Sequence, residues 1–570
     1  TDLAGTLTVT TADATDNAIA VETGAAATIV NLAAGEASDT VTIAAADLAD
    51  DVALTINNSG SANAGTVKIT GLVGDLSLAN AAKGAIEVTL GNATGNTVAI
   101  TGSSSATTDV TLKTGHTSDT VTVSAMAGDL VAGSGVASKV FVTGTSLAQS
   151  LDGGANNDTI IGAAGADTIK SGAGDDTLKF TNGAELKAAG TVEGGADNDI
   201  VEFTAADTNI ADADFAKVKE IETLKLKGAS TATLGEKADA AASGTLTVAT
   251  GDAATSITAA DSKHFNVDAS ALAQNINLTV ADSGTSNFVV TNLVGNLVTT
   301  NLAGTLTVTT ADAGDEAITI DAAAAATTVN LKAGADSDTV TITAGDLAND
   351  VALTINGSES SAAAAGNVTI TGLKGDLNVA KASTGTIGVA VADASDNGIA
   401  ITGSAGAAVN VTSIADLNTV TVTAHAGNFT AGIAGTTGKV NVTGTSADQI
   451  ITGAAGADTI KGAGGKDNLT GGDGADIFLI AAAANLDAAA SITGGNDSDA
   501  IRFTSTAGET LTLGSSIDVD SVVISDAAGS SSGNTNENVN ASSAVGGIAV
   551  TGNAGNNILT GNASANVITG

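Results

Sequence analysis

The chain advances in steps of nine residues at two places, from residue 153 and again from residue 453. Each step opens with Gly or Ser, carries Asp at its sixth position and has a large apolar residue at its eighth. Glycine permits the left-handed backbone of a tight turn, and a large apolar residue two positions after the Asp suits a short buried strand. The nine-residue period therefore predicts short β-strands joined by turns, with one turn and one strand in each step.

Three consecutive steps occur in each place, and single steps follow them. The consecutive units are GGANNDTII (153–161), GAAGADTIK (162–170), SGAGDDTLK (171–179), GAAGADTIK (453–461), GAGGKDNLT (462–470) and GGDGADIFL (471–479). Further units are GGADNDIVE (194–202), GGNDSDAIR (494–502), GNAGNNILT (552–560) and GNASANVIT (561–569). The last two carry Asn557 and Asn566 in place of Asp. Because an amide offers one neutral oxygen, we expect those two turns to bind a cation weakly or to serve as caps.

A larger duplication contains these steps. LAGTLTVTTADA at 3–14 returns at 302–313, and VTGTS at 142–146 returns at 442–446, so a unit of about 300 residues is present twice. Inside each copy, segments such as Thr6–Thr10 alternate polar and apolar residues with the period of a strand. Helical periodicity is confined to Ala-rich stretches near 205–222 and 481–490. The strand spacing is compatible with a parallel β-helix, and an array of β-sandwiches would give a similar pattern.

Composition points to a thin, stacked interior and to cationic partners. The chain has 70 Gly, 9 Phe and no Pro, Cys, Trp or Tyr, and its net charge is -41. Such an acidic chain repels nucleic acid and anionic membranes, and no apolar run is long enough to cross a bilayer. We therefore expect no nucleic-acid partner and no membrane insertion. Without disulfides, a bound metal is the obvious alternative clamp.

The nine-residue units resemble the RTX nonapeptide of secreted bacterial proteins, which reads Gly-Gly-x-Gly-x-Asp-x-U-x with U a large aliphatic residue. The resemblance implies an all-β fold, namely a parallel β-helix or β-solenoid with calcium-binding RTX β-roll segments, and it implies type I secretion. Two units make one coil in this family, so residues eighteen apart should stack. Asp158 would lie above Asp176 and Asp458 above Asp476, with Asp167 and Asp467 on the opposite row.

Calcium is the expected ion because it accepts six to eight oxygen ligands with flexible geometry, whereas zinc prefers nitrogen and sulfur. The resemblance further implies that each ion is shared between adjacent turns and that Gly carbonyl groups complete its shell. The expected ligand residues are Asp158, Asp167, Asp176, Asp199, Asp458, Asp467, Asp476, Asp499, Gly154, Gly165, Gly174, Gly456, Gly465 and Gly474.

These features divide each copy of the duplication into a long solenoid, an RTX block and a connecting segment. The predicted domains are a β-solenoid at 1–143, an RTX β-roll at 144–203, a connecting β segment at 204–301, a second β-solenoid at 302–443, a second RTX β-roll at 444–503, a connecting β segment at 504–551 and the start of a further RTX block at 552–570.

Catalytic motifs are poorly supported. His116, His264 and His425 are far apart in the sequence, and we expect each of them at the surface. Asp282 begins an Asp-Ser-Gly-Thr segment that has no second copy, and the GxSxG match at 529–533 has no His downstream. We therefore expect no enzymatic activity.

Two classes of function remain, both extracellular. One is a secreted, calcium-dependent structural protein that assembles with its own copies into a bacterial surface layer or an extracellular filament. The alternative is the stalk or binding region of a large RTX adhesin, with cell-surface polysaccharide as a further partner. Sugar-binding modules usually expose Trp and Tyr, which this chain lacks, so the sequence favours the surface layer or filament.

Overall fold

The computed structural model is all-β and divides into two compact units, Thr1–Leu272 (unit 1) and Ala273–Gly570 (unit 2). The structure describes residues 3–10, 18–33, 40–49, 52–58, 66–80, 85–91, 97–101, 109–114, 119–133, 136–282, 284–311, 317–322, 327–332, 339–348, 351–356, 368–381, 386–392, 398–402, 408–413, 419–423, 425, 427–431, 438–486 and 491–570.

The strands are short and numerous. In unit 1, strands β1 to β25 are, in chain order, Leu3–Thr10, Ala18–Ala33, Thr40–Ala44, Ala53–Asn58, Thr66–Leu72, Asp75–Asn80, Ala85–Leu90, Thr97–Thr101, Asp109–Thr114, Thr120–Ser124, Leu130–Ala132, Lys139–Thr143, Ser150–Ala155, Thr159–Ile161, Thr168–Ala173, Thr177–Phe180, Thr191–Ala196, Ile200–Phe203, Ile210–Ala211, Val218–Lys219, Thr223–Lys225, Ser230–Leu234, Thr247–Ala249, Thr255–Ala259 and Phe265–Asp268. In unit 2, strands β26 to β54 are Asn277–Asp282, Phe288–Leu293, Asn296–Thr300, Thr305–Thr310, Ala317–Asp321, Thr327–Lys332, Thr339–Thr343, Ala352–Asn356, Val368–Leu373, Asp376–Lys381, Thr386–Val391, Gly398–Thr402, Ala408–Ser413, Thr419–Thr423, Phe429–Thr430, Lys439–Thr443, Ile450–Thr452, Thr459–Lys461, Asn468–Gly472, Ile477–Ile480, Ser491–Gly495, Ala500–Phe503, Thr510–Thr512, Ile517–Asp518, Ser521–Ile524, Asn538–Asn540, Ala549–Thr551, Leu559–Thr560 and Val567–Thr569.

The described strand pairs are parallel, and each strand lies beside strands one coil earlier and one coil later in the chain. Val121 of β10 is flanked by Val98 of β8 and Val140 of β12, and all three side chains are buried. Thr122, the next residue, is exposed. Period-two alternation thus places rows of aliphatic residues inside the coils and Thr outside them, which is how this sequence buries a core.

Each unit is therefore a parallel β-solenoid, as the sequence predicted, and the β-sandwich alternative is wrong. Antiparallel sandwich sheets would need strands that reverse direction at each turn, whereas here each coil returns the chain to the same edge. No helix in the described ranges is long and apolar enough to cross a membrane.

Consecutive nine-residue units form coils of eighteen residues. Thr159 of β14 pairs with Thr177 of β16, and Leu151 of β13 pairs with Ile169 of β15, so residues eighteen apart are stacked. By contrast, Asn31 of β2 pairs with Asn57 of β4 in the longer coils of unit 1. The eighteen-residue stacking that the resemblance to the RTX nonapeptide implied is confirmed.

The helix predictions at 205–222 and 481–490 are largely wrong. Each stretch holds only a short 3₁₀ turn, Asp212–Phe215 in the first and Ala483–Asn485 in the second, and 487–490 lie outside the described residues. Val218 instead continues a parallel row beside Val192 of β17, because coil stacking buries it better than an isolated helix would.

Two short α-helices lie elsewhere and were not predicted. They are α1, Gly183–Ala188, and α2, Glu236–Ala241. The side chain of Asn182 accepts a hydrogen bond from the Glu185 N–H and caps the start of α1. At six residues each, they are too short for sequence periodicity to identify.

The surface prediction for the histidines fails at His425, whose side chain is 1 % exposed. His264 is exposed as expected, and His116 lies outside the described residues. In the duplicated copy, the position of His425 is taken by Met126, which is also buried. The position is therefore an interior one, and aligning the two copies would have indicated this.

Candidate metal site

The sixth-position aspartates form a ladder in which each carboxylate is tied to the neighbouring coil. The backbone N–H of Asp158 donates to Oδ1 of Asp176 at 2.7 Å, and the N–H of Asp176 donates to Oδ1 of Asp199 at 2.9 Å. In unit 2, the N–H of Asp458 donates to Asp476 at 2.8 Å, and that of Asp476 donates to Asp499 at 2.9 Å. The predicted stacking therefore brings these acidic residues into one row in unit 1 and one row in unit 2.

Each ladder extends one residue beyond the nine-residue units at its far end. The N–H of Asp199 donates to Oε2 of Glu222 at 2.7 Å, and the N–H of Asp499 donates to Oδ2 of Asp520 at 2.8 Å. Sequence reasoning missed Glu222 and Asp520. They lie 23 and 21 residues beyond their partners, so they do not fall in the nine-residue frame and no sequence signal marks them.

Asp167 and Asp467 occupy the opposite row, as predicted. Their Oδ1 atoms accept the backbone N–H groups of Gln149 and Gln449, each at 2.9 Å. These glutamines are the sixth residues of two further units, 144–152 and 444–452, each of which begins with Gly. Counting back by nine from 153 and 453 would have found both units.

The second carboxylate oxygen of these residues is the unusual feature of the site. All eight sixth-position aspartates are buried, with at most 2 % of the side chain exposed. Oδ2 is buried without any hydrogen-bond partner in Asp158, Asp176, Asp199, Asp467 and Asp476. Leaving a buried polar atom unpaired costs about 1–3 kcal/mol, and more if it is charged. A row of such atoms needs either protons or a cation.

Burial raises the pKa of every one of these carboxyl groups. The pKa rises to about 8 for Asp158, to about 7 for Asp199 and Asp476, and to about 6 for Asp176 and Asp458. Burial likewise raises the pKa to about 6 for Asp167 and Asp467, and it raises that of Asp499. Neighbouring carboxylates add a smaller upward contribution, as Asp176 does for Asp158. The metal-free folded state therefore favours protonated carboxyl groups.

These pKa shifts predict a pH dependence with a definite sign. A carboxyl pKa raised above its unfolded value stabilises the metal-free fold at low pH, and this stability is lost as pH rises through about 6 to 8. We expect the chain in EGTA to be less stable at pH 8 than at pH 5.5 in urea unfolding. Calcium affinity should change in the opposite direction and be at least about tenfold weaker at pH 5.5, because protons compete for the ligand oxygen. Equal calcium affinity at the two pH values would contradict this.

The glycine that begins most units packs directly against the carboxylate of its own unit. A Cβ atom on Gly153 would lie 2.5 Å from Oδ2 of Asp158 and 2.7 Å from the carbonyl oxygen of Ser171, one coil away. Gly453 and Gly471 stand in the same relation to the aspartates of their own units. We call the surroundings of such a first-position glycine the cradle of its unit. Each cradle is lined by a carboxylate oxygen and a backbone carbonyl oxygen. Sequence reasoning did not assign the first-position glycines, although the repeat itself marks them.

The predicted glycine ligands lie in the turns of the same coils, except Gly154, which lies near the end of β13. Gly154, Gly165, Gly174, Gly465 and Gly474 have φ values of +104°, +156°, +116°, +101° and +98°. Side chains rarely adopt this backbone conformation, which explains why the turns need glycine. Gly456 is outside this set. Whether their carbonyl groups bind an ion remains a prediction.

The donor set consists of oxygen atoms. Among the described residues, no three His, Cys, Asp or Glu side chains come together in the manner of a side-chain metal cluster. An ion here would take one carboxylate oxygen from a unit and backbone carbonyl oxygens from the turns around it. The unpaired Oδ2 atoms and the backbone carbonyl oxygens beside them are hard oxygen donors of the kind that calcium accepts.

Comparison with known proteins agrees with this chemistry. A family model described as the RTX calcium-binding nonapeptide repeat matches the chain in four copies, at residues 143–178, 443–478 and 550–570. The first two matches begin at the units that carry Gln149 and Gln449. No curated protein and no solved structure matches the chain.

Proposed function

Because this chain is a β-solenoid that carries RTX calcium-binding repeats, we propose that it is an extracellular structural protein whose RTX blocks fold when calcium binds. The RTX blocks are residues 144–203 and 444–503. The observation that carries the proposal is the set of buried sixth-position carboxylates, five of which have an Oδ2 atom without a partner among the described residues. RTX repeats are typical of secreted proteins, and extracellular calcium is near millimolar.

The mechanism begins with the cost of closing the coils. Stacking Asp158 on Asp176 buries two carboxylates whose charges repel each other, and burial raises the pKa of both. A bound calcium ion supplies the positive charge that offsets this cost. The Oδ1 atoms remain tied to backbone N–H groups of the neighbouring coil, so each carboxylate is held in place with Oδ2 beside the cradle. Folding and calcium binding are therefore coupled.

The coupling makes folding depend on calcium concentration. A site filled at one hundred times its dissociation constant stabilises the fold by about 2.7 kcal/mol. Several such sites lie in one row, so their contributions combine within a single cooperative block. The chain would remain unfolded in the RTX blocks where calcium is scarce and fold where calcium is plentiful.

We further propose that folded chains assemble with their own copies into a bacterial surface layer or an extracellular filament. The support is compositional: the chain is rich in Gly, Ala and Thr, strongly acidic and free of Trp and Tyr, and it contains two long copies of one unit. We assign it no catalytic role. The alternative is the stalk or binding region of an RTX adhesin, which the repeats support equally.

Negative-stain electron microscopy separates these two structural roles. We expect sheets or filaments in millimolar calcium that disappear in EGTA, because assembly requires the folded RTX blocks. Magnesium at the same concentration is the control, since its strict octahedral geometry should not suit sites built from turn carbonyl groups. Folded single rods that never associate in calcium would contradict assembly and favour the adhesin stalk.

A further inference from the structure

The second residue of a nine-residue unit has a backbone conformation that depends on the row. In the rows of Asp158 and Asp476, five units carry glycine at this position, with φ values between +104° and +126°. They are Gly154, Gly172, Gly195, Gly472 and Gly495. Only glycine adopts such φ values readily, because they lie beyond the left-handed region that other residues reach. In the opposite row, Ala163 and Ala463 have φ values of +60° and +74°, at or near that left-handed region.

Ala454 is the exception to this pattern. It is the second residue of its unit, in the row where the others carry glycine, and its φ is not positive. Alanine would be strained at the φ of its counterpart Gly154, so the backbone takes another path. In unit 1, β13 runs through this position and Gly154 pairs with Gly172, whereas β42 of unit 2 already ends at Thr452.

The altered path directs the Ala454 N–H at the carboxylate of the same unit. This N–H donates to Oδ2 of Asp458 at 2.5 Å, and the Val440 N–H donates to Oδ1 at 2.8 Å. In unit 1, the Val140 N–H likewise donates to Oδ1 of Asp158, at 2.7 Å, but Oδ2 is buried and has no partner. Oδ2 also lacks a partner in three further units whose second residue is glycine, those of Asp176, Asp199 and Asp476.

The additional hydrogen bond changes what the carboxylate requires. A buried charged oxygen without a donor needs a proton or a cation, whereas a backbone N–H supplies a positive partial charge and makes a charge-assisted hydrogen bond. A calcium ion at Oδ2 of Asp458 would be repelled by the Ala454 N–H or would have to displace it. The two units are otherwise alike, because a carbonyl oxygen of the next coil lies beside both Gly153 and Gly453.

We propose that the second-position residue decides whether a unit in these two rows binds calcium, and that Ala454 makes Asp458 a metal-free member of its row. This inference rests on the proposed calcium binding of the other aspartate units. It gives the second-position glycines a role apart from ligation, since their φ keeps the N–H away from the carboxylate. The block 144–203 should then bind about one more ion than 444–503, although each has four sixth-position aspartates.

The test is the Ala454→Gly variant of the full chain, with Ala463→Gly as the matched control. Glycine can adopt the φ of the other units and thereby free Oδ2 of Asp458. Ala463 already has a positive φ, so its replacement removes the same methyl group without redirecting an N–H. Calcium bound per chain at saturation is counted by equilibrium dialysis. Ala454→Gly should bind about one more ion than wild type or Ala463→Gly, and adding Asp458→Asn should remove that ion.

Gly154→Ala is the reciprocal variant. A Cβ atom on Gly154 would lie 3.2 Å from its nearest neighbours, so the methyl group fits with small shifts, while the φ of +104° becomes strained. The backbone should turn as it does at Ala454, and the variant should bind about one ion fewer than wild type. Circular dichroism in saturating calcium shows whether it is folded; if it is not, the Ala454→Gly count decides alone.

The outcomes separate this inference from the proposed function. If wild type binds calcium and Ala454→Gly gains no ion, the role of the second position is wrong and the proposed function stands. An equal gain in Ala463→Gly would also overturn it, because added backbone freedom would then explain the extra ion. If neither wild type nor Ala454→Gly binds calcium, the proposed function fails and this inference fails with it.

Discussion

Replacing Asp476 by alanine is expected to abolish the calcium-induced folding of residues 444–503. Asp476 is central in its row: its Oδ1 accepts the Asp458 N–H, and its own N–H donates to Asp499. Alanine removes the acceptor of a buried N–H, which costs about 1–3 kcal/mol of the free energy of unfolding. It also removes the carboxylate beside Gly471 that we propose as a calcium ligand. In saturating calcium we expect the free energy of unfolding of this block to fall by about 3 kcal/mol or more.

Asp476→Asn separates the two contributions. It keeps an oxygen that can accept the Asp458 N–H but replaces the carboxylate by a neutral amide. Urea unfolding followed by circular dichroism, with and without calcium, should show that this variant loses calcium stabilisation while remaining more stable than alanine in EGTA. Asp473→Asn, an exposed residue of the same unit, is the matched charge control. Undiminished calcium stabilisation in Asp476→Ala would exclude this residue as a ligand.

Gly471→Ala is expected to be nearly as damaging, although it removes no ligand. Its Cβ would collide with the Asp476 carboxylate and lie 2.5 Å from the carbonyl oxygen of Gly494 in the next coil. The Gly494 backbone and the hydrogen-bonded Asp476 carboxylate have little freedom to move away from the added methyl group. We therefore expect the free energy of unfolding to fall by about 2–3 kcal/mol and calcium binding to weaken.

Gly388→Ala is the matched control for this substitution. Gly388 lies in β36, and a Cβ there would meet only the Val368 carbonyl oxygen, at 3.9 Å. Its effect on the free energy of unfolding should be small, within about 0.5 kcal/mol of wild type. If Gly471→Ala and Gly388→Ala lowered the free energy of unfolding equally, the packing around Gly471 would not be as tight as the structure indicates.

The fold was largely predictable because its rules are local and repeated. Alternation such as Thr120–Ser124 specifies which side chains enter the core, and the nine-residue period specifies which residues stack. The resemblance to the RTX nonapeptide implied two units in each coil, so Asp158 could be placed against Asp176 before any coordinates. The short helix α1 was not predictable, because it lies between nine-residue units where the period is interrupted. Its position depends on the capping contact of Asn182, which the sequence pattern does not show.

The sequence predicted which aspartates belong to the candidate site, but not the hydrogen bonds of their individual oxygen atoms. The period marks Asp176 as a member of the row, but it cannot show that Oδ1 is tied to the Asp158 N–H while Oδ2 is left alone. Those facts depend on burial and on distances between coils. Glu222 lies at the end of a row but in a coil of different length, and Gln149 belongs to a row but carries an amide. A search for Asp at fixed spacing therefore misses both residues.

Hydrogen exchange of the wild-type chain, read by mass spectrometry in millimolar calcium and in EGTA, tests the central claim most directly. The account predicts that backbone N–H groups in 144–203 and 444–503, including those of Asp158 and Asp458, exchange slowly in calcium and rapidly in EGTA. Magnesium should not restore the protection. Equal protection of the two blocks with and without calcium would contradict the claim that buried carboxylate rows make their folding depend on this ion.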